Sequence, residues 1–292
     1  MPVAELQDER IGRILDAVNQ SDISSIKSVV SGIIQLINDP RSTAKDLKDI
    51  IQVDPPLSGK ILRVSNSAFY SPQTKIDEIE KAVIWIGYNS VKELALRQKA
   101  CEVFENNDSI EGYRRSELWA FCVGVAMFSK MIYRREFREK GEVIYAAGLL
   151  HKIGLIAEEQ FLRKAFTKIL KLTNEKNIDL MSVEEKVFGF NHAFLGEQIA
   201  RNWLLPEDMV YSMGYHNNPY EAPKNHFRQV ATLYVASAMC HFAEIGFSKA
   251  TPFNDDLYQK CISDLKLDQD DLNLIIEDGK YEIAEMLEKG AL

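Results

Sequence analysis

Residues 24–39 read SSIKSVVSGIIQLIND. Ile26, Val29, Val30, Ile33, Ile34 and Ile37 recur at three- and four-residue steps, which puts them on one face of a helix. Asp39-Pro40 closes that helix, because proline disfavours helical geometry in the residue before it. Ser42 is then placed to cap a short helix, TAKDLKDIIQ, with Leu47, Ile50 and Ile51 as its inner stripe. Asp54-Pro55 marks the next start: the carboxylate accepts from orphan amides, and the missing N–H of proline costs nothing in the first turn. The helix that follows, PPLSGKILRVSN, turns Leu57, Ile61, Leu62 and Val64 inward. Asp77 is placed to cap EIEKAVIWI, Gly87 to stop it, and Asn89 or Ser90 to start VKELALRQKACEVF.

The same periodicity continues down the chain. The polar stretch ENNDSIEG (105–112) breaks it and is the best candidate boundary between two units. Beyond it the pattern predicts a long helix from about Tyr113 to Arg135, then VIYAAGLL leading into His151. Ser182-x-x-Glu185 has the spacing of a capping box for a short helix ending at Gly189. Helices are predicted near 192–203, 207–215 and 226–245, and residues 254–292 read as two or three short acidic helices. No repeat or low-complexity tract occurs and nothing demands a sheet, so the predicted class is all-α and multi-helical.

Composition agrees. Of 292 residues, 46% are hydrophobic and 27% charged, which excludes a disordered chain or a disulfide scaffold. Only 15 glycines and 9 prolines favour long helices over many short strands. Lys and Arg number 35 against 43 Asp and Glu, a net charge of −8 that argues against nucleic acid and anionic membranes as partners. The four cysteines, Cys101, Cys122, Cys240 and Cys261, form no Cys-x-x-Cys pair and read as small buried hydrophobes. The charged start MPVAELQDERIGRIL is no signal peptide, and no stretch approaches the length of a membrane span. A reduced, cytoplasmic setting is the expectation.

All five histidines, His151, His192, His216, His226 and His241, lie in the second half. Histidine is the commonest metal ligand, yet no His-x-x-x-His pair sets two on one helical face. Their alternative role is local bonding at helix ends. The tandem helices at 42–51 and 55–65 have the order of a helix-turn-helix, but the second carries only Lys60 and Arg63. The basic residues Arg134, Arg135, Arg138 and Lys140 alternate with Glu136, Glu139 and Glu142, as on a solvated helix face. No phosphate-cradling glycine loop or Gly-x-Ser-x-Gly elbow is present.

Several motifs in order resemble those of the HDOD domain, an HD-related output domain of bacterial signalling proteins. They are Asp39-Pro40, Ile50-Ile51-Gln52-Val53-Asp54-Pro55-Pro56-Leu57, Val64-Ser65-Asn66-Ser67-Ala68-Phe69-Tyr70 and Ala82 to Gly87. In the second half they are AAGLLHKIG (146–154), His192-x-x-x-Gly196, Trp203-Leu204-Leu205-Pro206 and His216-Asn217. The likeness covers roughly residues 20–245. It implies an N-terminal helical subdomain (1–108), an HD-like helical subdomain (109–250) and a C-terminal helical tail (251–292). Asp54, Pro55, Asn66, Ser67 and Gly87 are read as structural: helix start, main-chain bonding after a helix, and helix stop.

The resemblance also implies what has been lost. HD phosphohydrolases hold their metal with a histidine, a neighbouring His-Asp pair and a later aspartate. The pair matches His151-Lys152, the first histidine falls at or beside Phe121, and the late aspartate falls within Tyr234–Ala238, with Ser237 as its counterpart. His192 and His216 match family histidines, and Asn217 replaces the second of a His-His pair. A carboxylate 4 Å from a divalent cation gains roughly 8 kcal/mol at an effective dielectric near 20, and an ammonium is repelled by as much. Without the metal there is no activated water. The expectation is a non-enzymatic regulatory module with no cofactor, acting on a signalling protein partner or a small anionic effector. His151, Lys152, His192, His216 and Asn217 would line the effector pocket, unless Lys152 faces solvent and the histidines are bonded structurally. The alternative is a divergent metal-dependent phosphohydrolase, acting on nucleotides or cyclic dinucleotides, with His151, His192 and His216 as ligands.

Overall fold

The computed structural model describes residues 3–105, 109–176, 178–247 and 253–288. Helices α1 (Val3–Asn19) and α2 (Asp22–Ser25) precede α3 (Lys27–Asn38), which buries Val29, Val30, Ile33 and Ile34 as their spacing predicts. Helix α4 (Ala44–Gln52) is capped by Thr43 rather than Ser42. The Thr43 hydroxyl accepts from Asp46 N at 3.3 Å and the Asp46 carboxylate accepts from Thr43 N at 2.8 Å, so one reciprocal box satisfies two orphan amides. Ser42 is engaged elsewhere, donating to Leu36 O and accepting from the Tyr88 hydroxyl. Helix α5 (Pro55–Ser65) starts as expected, with Asp54 accepting from Leu57 N at 3.0 Å.

Asp77 does not cap α6 (Ile79–Ile86). Lys81 takes its carboxylate, and the side chain of the N-cap residue, Glu78, caps no main-chain amide of the helix. Gly87 ends α6 with φ of +92°, and α7 (Tyr88–Cys101) begins at the next residue, earlier than Asn89 or Ser90. Only glycine turns the chain so sharply without strain. After Phe104, a two-residue-per-strand ribbon, β1 (Ser109–Ile110) against β2 (Tyr113–Arg114), adds a small hairpin that helical periodicity did not reveal. Residues 106–108 of the predicted boundary lie outside the described residues, as do 248–252 at the second boundary.

Helix α8 (Arg115–Arg135) is the axis of the second half and is buried on nearly every side, which explains its weak amphipathic signal. Helix α9 (Glu142–Leu150) packs along it because Gly148 has no side chain: a Cβ there would lie 2.5 Å from Ala126 Cα. Helix α10 (Ile153–Phe161) presses on α13 (His192–Asn202) through Gly154, whose Cβ would meet His192 O at 1.9 Å. Between them run α11 (Arg163–Lys176) and α12 (Leu180–Phe188). Asp179 caps α12 by accepting from Ser182 N at 2.8 Å; Ser182 lies inside the helix, so the expected box is absent, while Gly189 does end it. Helix α14 (Glu207–Tyr215) packs on α13, and α15 (Phe227–Phe242) and α17 (Gln269–Glu288) pack on α8, with α16 (Asp255–Leu265) against α15. Among the described residues the tail is thus two helices, the second long. One buried hydrophobic cluster runs through both halves. All four cysteines are free and buried, and no described helix is long and apolar enough to cross a membrane.

Candidate functional site

The sequence AAGLLHKIG forms the end of α9, a tight turn and the start of α10. Its two glycines clamp that turn between α8 and α13, which carries His151 and Lys152 to the first residue of α13 and the end of α14. There His151, Lys152, His192 and His216 meet, all fully buried. The ring centroids of His151 and His216 are 5.0 Å apart, and those of His192 and His216 5.6 Å.

Lone pairs decide what the cluster does. His151 Nδ1 lies 2.7 Å from Gly148 O and His216 Nδ1 2.8 Å from Met213 O. A carbonyl only accepts, so both Nδ1 atoms carry protons and both Nε2 atoms present lone pairs. His192 Nδ1 donates in the same way to Glu184, at 2.8 and 3.0 Å. Lys152 Nζ sits between two of these lone pairs, 3.0 Å from His192 Nε2 and 2.8 Å from His216 Nε2. His151 Nε2 receives no hydrogen bond. Phe121 lies against His151 with ring centroids 5.8 Å apart, and the Ser237 hydroxyl is turned back to Leu233 O.

Burial sets the protonation states. It drives His151 and His216 well below their ordinary range, helped by the charge of Lys152, so both rings are neutral. Burial also lowers His192, with Glu184 opposing it and Lys152 adding to it. Lys152 is pushed down to about 7 by burial, against the pull of Cys122, Glu184 and Asp179. Behind His192 stands a second buried carboxyl. Burial and then the charge of Glu184 hold Glu158 well above its usual range, and neither of its carboxyl oxygens has a hydrogen-bond partner among the described residues. The result is a hydrogen-bonded chain, Lys152–His192–Glu184, shut off from solvent, with the uncharged Glu158 buried close to Glu184.

Glu158 yields a pH prediction. Its folded pKa is raised, so its contribution to stability is present below about pH 4.5 and is lost as pH rises through the folded value. Glu158→Gln keeps the size and shape of the side chain without the titration. Its Tm should exceed that of the wild type by at least about 2 °C at pH 8 and match it near pH 4.5, read by thermal melts across pH.

The structure brings His151, His192 and His216 together, with Lys152 among them and Asn217 apart. Lys152 does not face solvent; its amine is buried between the imidazoles of His192 and His216. Asn217 does not join them: its amide contacts Met181 and borders a neighbouring cavity of about 400 Å³. That cavity is lined by Asp179, Glu185, Glu197 and Glu221 with no Lys or Arg, a poor match to an anion. Asp54, Pro55, Asn66, Ser67 and Gly87 lie in the first half. Lys99 binds the Asp54 carboxylate, and burial, which would raise it, is outweighed by that bond and the Leu57 amide. Asn66 bonds Leu62 O and both main-chain groups of Ile76.

A divalent metal is implied by the HD resemblance, and the residues present do not fit one. The lone pairs of His192 and His216 accept from Lys152, and a cationic group stands among the imidazoles. Among the described residues no group of three or more His, Cys, Asp or Glu is arranged to hold a metal ion. Glu184 and Glu158 were not singled out from sequence. The signal was present, since Glu184 falls on the stripe Leu180, Val183, Phe188 that α12 buries.

These features define an overwhelmingly helical protein, with one short ribbon, whose second half buries a cluster of three histidines around a lysine. The profile of the HDOD domain matches residues 23–219, and the chain belongs to that family. An HDOD domain protein of unknown function from Geobacter sulfurreducens is 25% identical, with a TM-score of 0.74 over 89% of this chain and 90% of that one. A protein from Marinobacter aquaeolei VT8, provisionally named for signal transduction, is 21% identical with a TM-score of 0.72, over 89% and 58%. Another, from Shewanella amazonensis SB2B and provisionally named a phosphohydrolase, is 20% identical with a TM-score of 0.65, over 90% of each chain. An uncharacterised protein of Treponema pallidum is 23% identical over 225 residues, 76% of this chain; the match spans 43% of that relative's length.

Proposed function

We propose that this protein is a non-catalytic signalling module that acts by binding a protein partner. The observation that carries the reading is the place of Lys152. Its amine stands between His192 and His216, where the family resemblance puts a metal ion, and gives them N–H bonds in place of metal coordination. A divalent cation would have to displace a buried amine that is itself cationic below about pH 7. With Phe121 and Ser237 at the other ligand positions, there is no acid left to anchor it, and an HD-type hydrolysis has no activated water. The acidic cavity beside the centre supports a protein partner over a phosphate-bearing effector. The name of the Marinobacter protein fits a signalling role, and nothing in it bears on catalysis.

Elemental analysis of the purified protein, with phosphodiesterase assays in added Mn²⁺ or Ni²⁺, tests the proposal. No stoichiometric metal and no turnover are expected. Bound metal, with turnover abolished by His151→Ala, would establish the phosphohydrolase instead.

A further inference from the structure

We infer that the solvent face of α11 is a docking surface for an acidic segment of a partner protein. The inference rests on the reading of this chain as a partner-binding module and names the surface that partner brings. Helix α11 carries five basic residues, Arg163, Lys164, Lys168, Lys171 and Lys176, against one acid, Glu175. No acid lies between Glu159 and Glu175, in a chain whose net charge is −8. Residues 134–142 are the contrast, since acids interleave the bases there.

The fold aims these charges outward. Phe166, Ile169 and Leu170 are buried and fix the inner face of the helix. Lys164, Lys168 and Lys171 are exposed and recur at four- and three-residue steps, so they form one stripe roughly 10 Å long. Glu159, at one end, is buried against Arg115 and Arg163. Glu175, at the other, lies 3.8 Å from Lys171, with both side chains more than half exposed. Among the described residues Lys164, Lys168 and Lys176 have no carboxylate within 4 Å. Like charges at these steps repel and weaken a helix. Carboxylates brought from outside would relieve a repulsion that the chain itself leaves uncompensated.

Charge selects the occupant. An acidic helix presents carboxylates at the same four- and three-residue steps, one for each ammonium. Duplex nucleic acid is held through many phosphates at once, whereas this stripe offers three ammoniums on an acidic protein. An anionic membrane calls for roughly four to eight clustered bases or for apolar side chains to insert; the stripe has three, and Phe166, Ile169 and Leu170 face the core. The net charge of −8 does not cancel a local contact, because charges beyond about 8 Å are screened at physiological salt. Helix α11 also joins α10, which begins beside Lys152, to α12, which carries Glu184, so the face belongs to the segment that builds the histidine centre.

Fluorescence anisotropy of a labelled, alanine-based helical peptide with Glu at i, i+4 and i+7 reads binding to the full chain. The wild type should bind saturably at about 50 mM salt and about tenfold more weakly at about 300 mM. Lys164→Glu, Lys168→Glu and Lys171→Glu together should weaken binding by at least about tenfold with the melting curve unchanged. Changing the same three to Gln should weaken it by a smaller factor, which keeps the test decisive if the Glu triple unfolds. The control triple, Lys45→Glu, Lys75→Glu and Lys280→Glu, makes the same charge change at exposed positions elsewhere and should stay within about twofold of the wild type. No binding by the wild type, or equal losses in the two Glu triples, would overturn the inference. Tighter binding of a short DNA duplex or of phosphatidylserine vesicles than of the peptide would also overturn it, as would a wild-type dimer in sedimentation that the α11 triple dissociates. Bound metal with turnover would overturn the non-catalytic reading and leave this measurement standing.

Discussion

Lys152→Asp should turn the histidine centre into a divalent-cation site. The substitution removes the amine from between His192 Nε2 and His216 Nε2, freeing two lone pairs, and places a carboxylate beside His151, whose Nε2 is already unpartnered. Three neutral imidazoles and one carboxylate are a donor set that zinc and its neighbours accept. The change of sign at one position is worth many kcal/mol in gross Coulomb energy, and even a small surviving fraction gives roughly 100-fold tighter binding or more. Zn²⁺ titration calorimetry should show one site in Lys152→Asp and none in the wild type. Lys152→Met should fall between, since it removes the repulsion without supplying an anion. Hydrolysis need not accompany binding, because Phe121 and Ser237 remain. If Lys152→Asp binds no better than the wild type, the lysine is not what excludes the ion.

Burying Lys152 is costly, and the cost has a pH signature. Its folded pKa of about 7 lies below the ordinary 10.5. The penalty is therefore complete below about pH 7, on the order of 5 kcal/mol, and shrinks as pH climbs towards 10.5. A group kept at that expense is better explained by what it does to the imidazoles than by stability.

Gly154→Ala should unfold the second half. A Cβ at this position lies 1.9 Å from His192 O and 2.7 Å from Gly196 N, both main-chain atoms that move only if α10 parts from α13. The expected loss exceeds about 3 kcal/mol, seen as a fall in Tm of roughly 10 °C or as insoluble protein. Gly59→Ala is the control. Nothing lies within 4 Å of its added methyl, and helix propensity makes it neutral or stabilising by up to about 1 kcal/mol. Equal behaviour of the two variants would show that the turn carrying His151 and Lys152 is not held by this close approach.

How much was legible follows from where the information lay. The stripe Val29, Val30, Ile33 and Ile34 is local, and the helix it predicts is present. Helix starts were less secure. Ser42, Asp77 and Ser182 are all capable caps, and each lost the role to a neighbour or a competing partner: Thr43, Lys81 and Asp179. The order His151, His192, His216 showed that a centre existed, through likeness to a family. The direction of Lys152 was beyond that reading, because it depends on how Gly148 and Gly154 set α9 and α10 against their neighbours. Burying the amine also required Glu184, roughly 110 Å of extended chain away in sequence and visible only as a charge on an apolar stripe. The short ribbon at 109–114 has too few residues to show a period of its own.

The state of the imidazoles tests the central claim most directly. Long-range ¹H–¹⁵N correlation of the histidine side chains in the wild type, before and after stoichiometric Zn²⁺, reports each ring's tautomer and ligation. The account predicts neutral rings at His151, His192 and His216, protonated on Nδ1 and unshifted by zinc, with Lys152 still hydrogen-bonded to two of them. Nε2 resonances of His192 and His216 that move together on adding one equivalent of metal would contradict it.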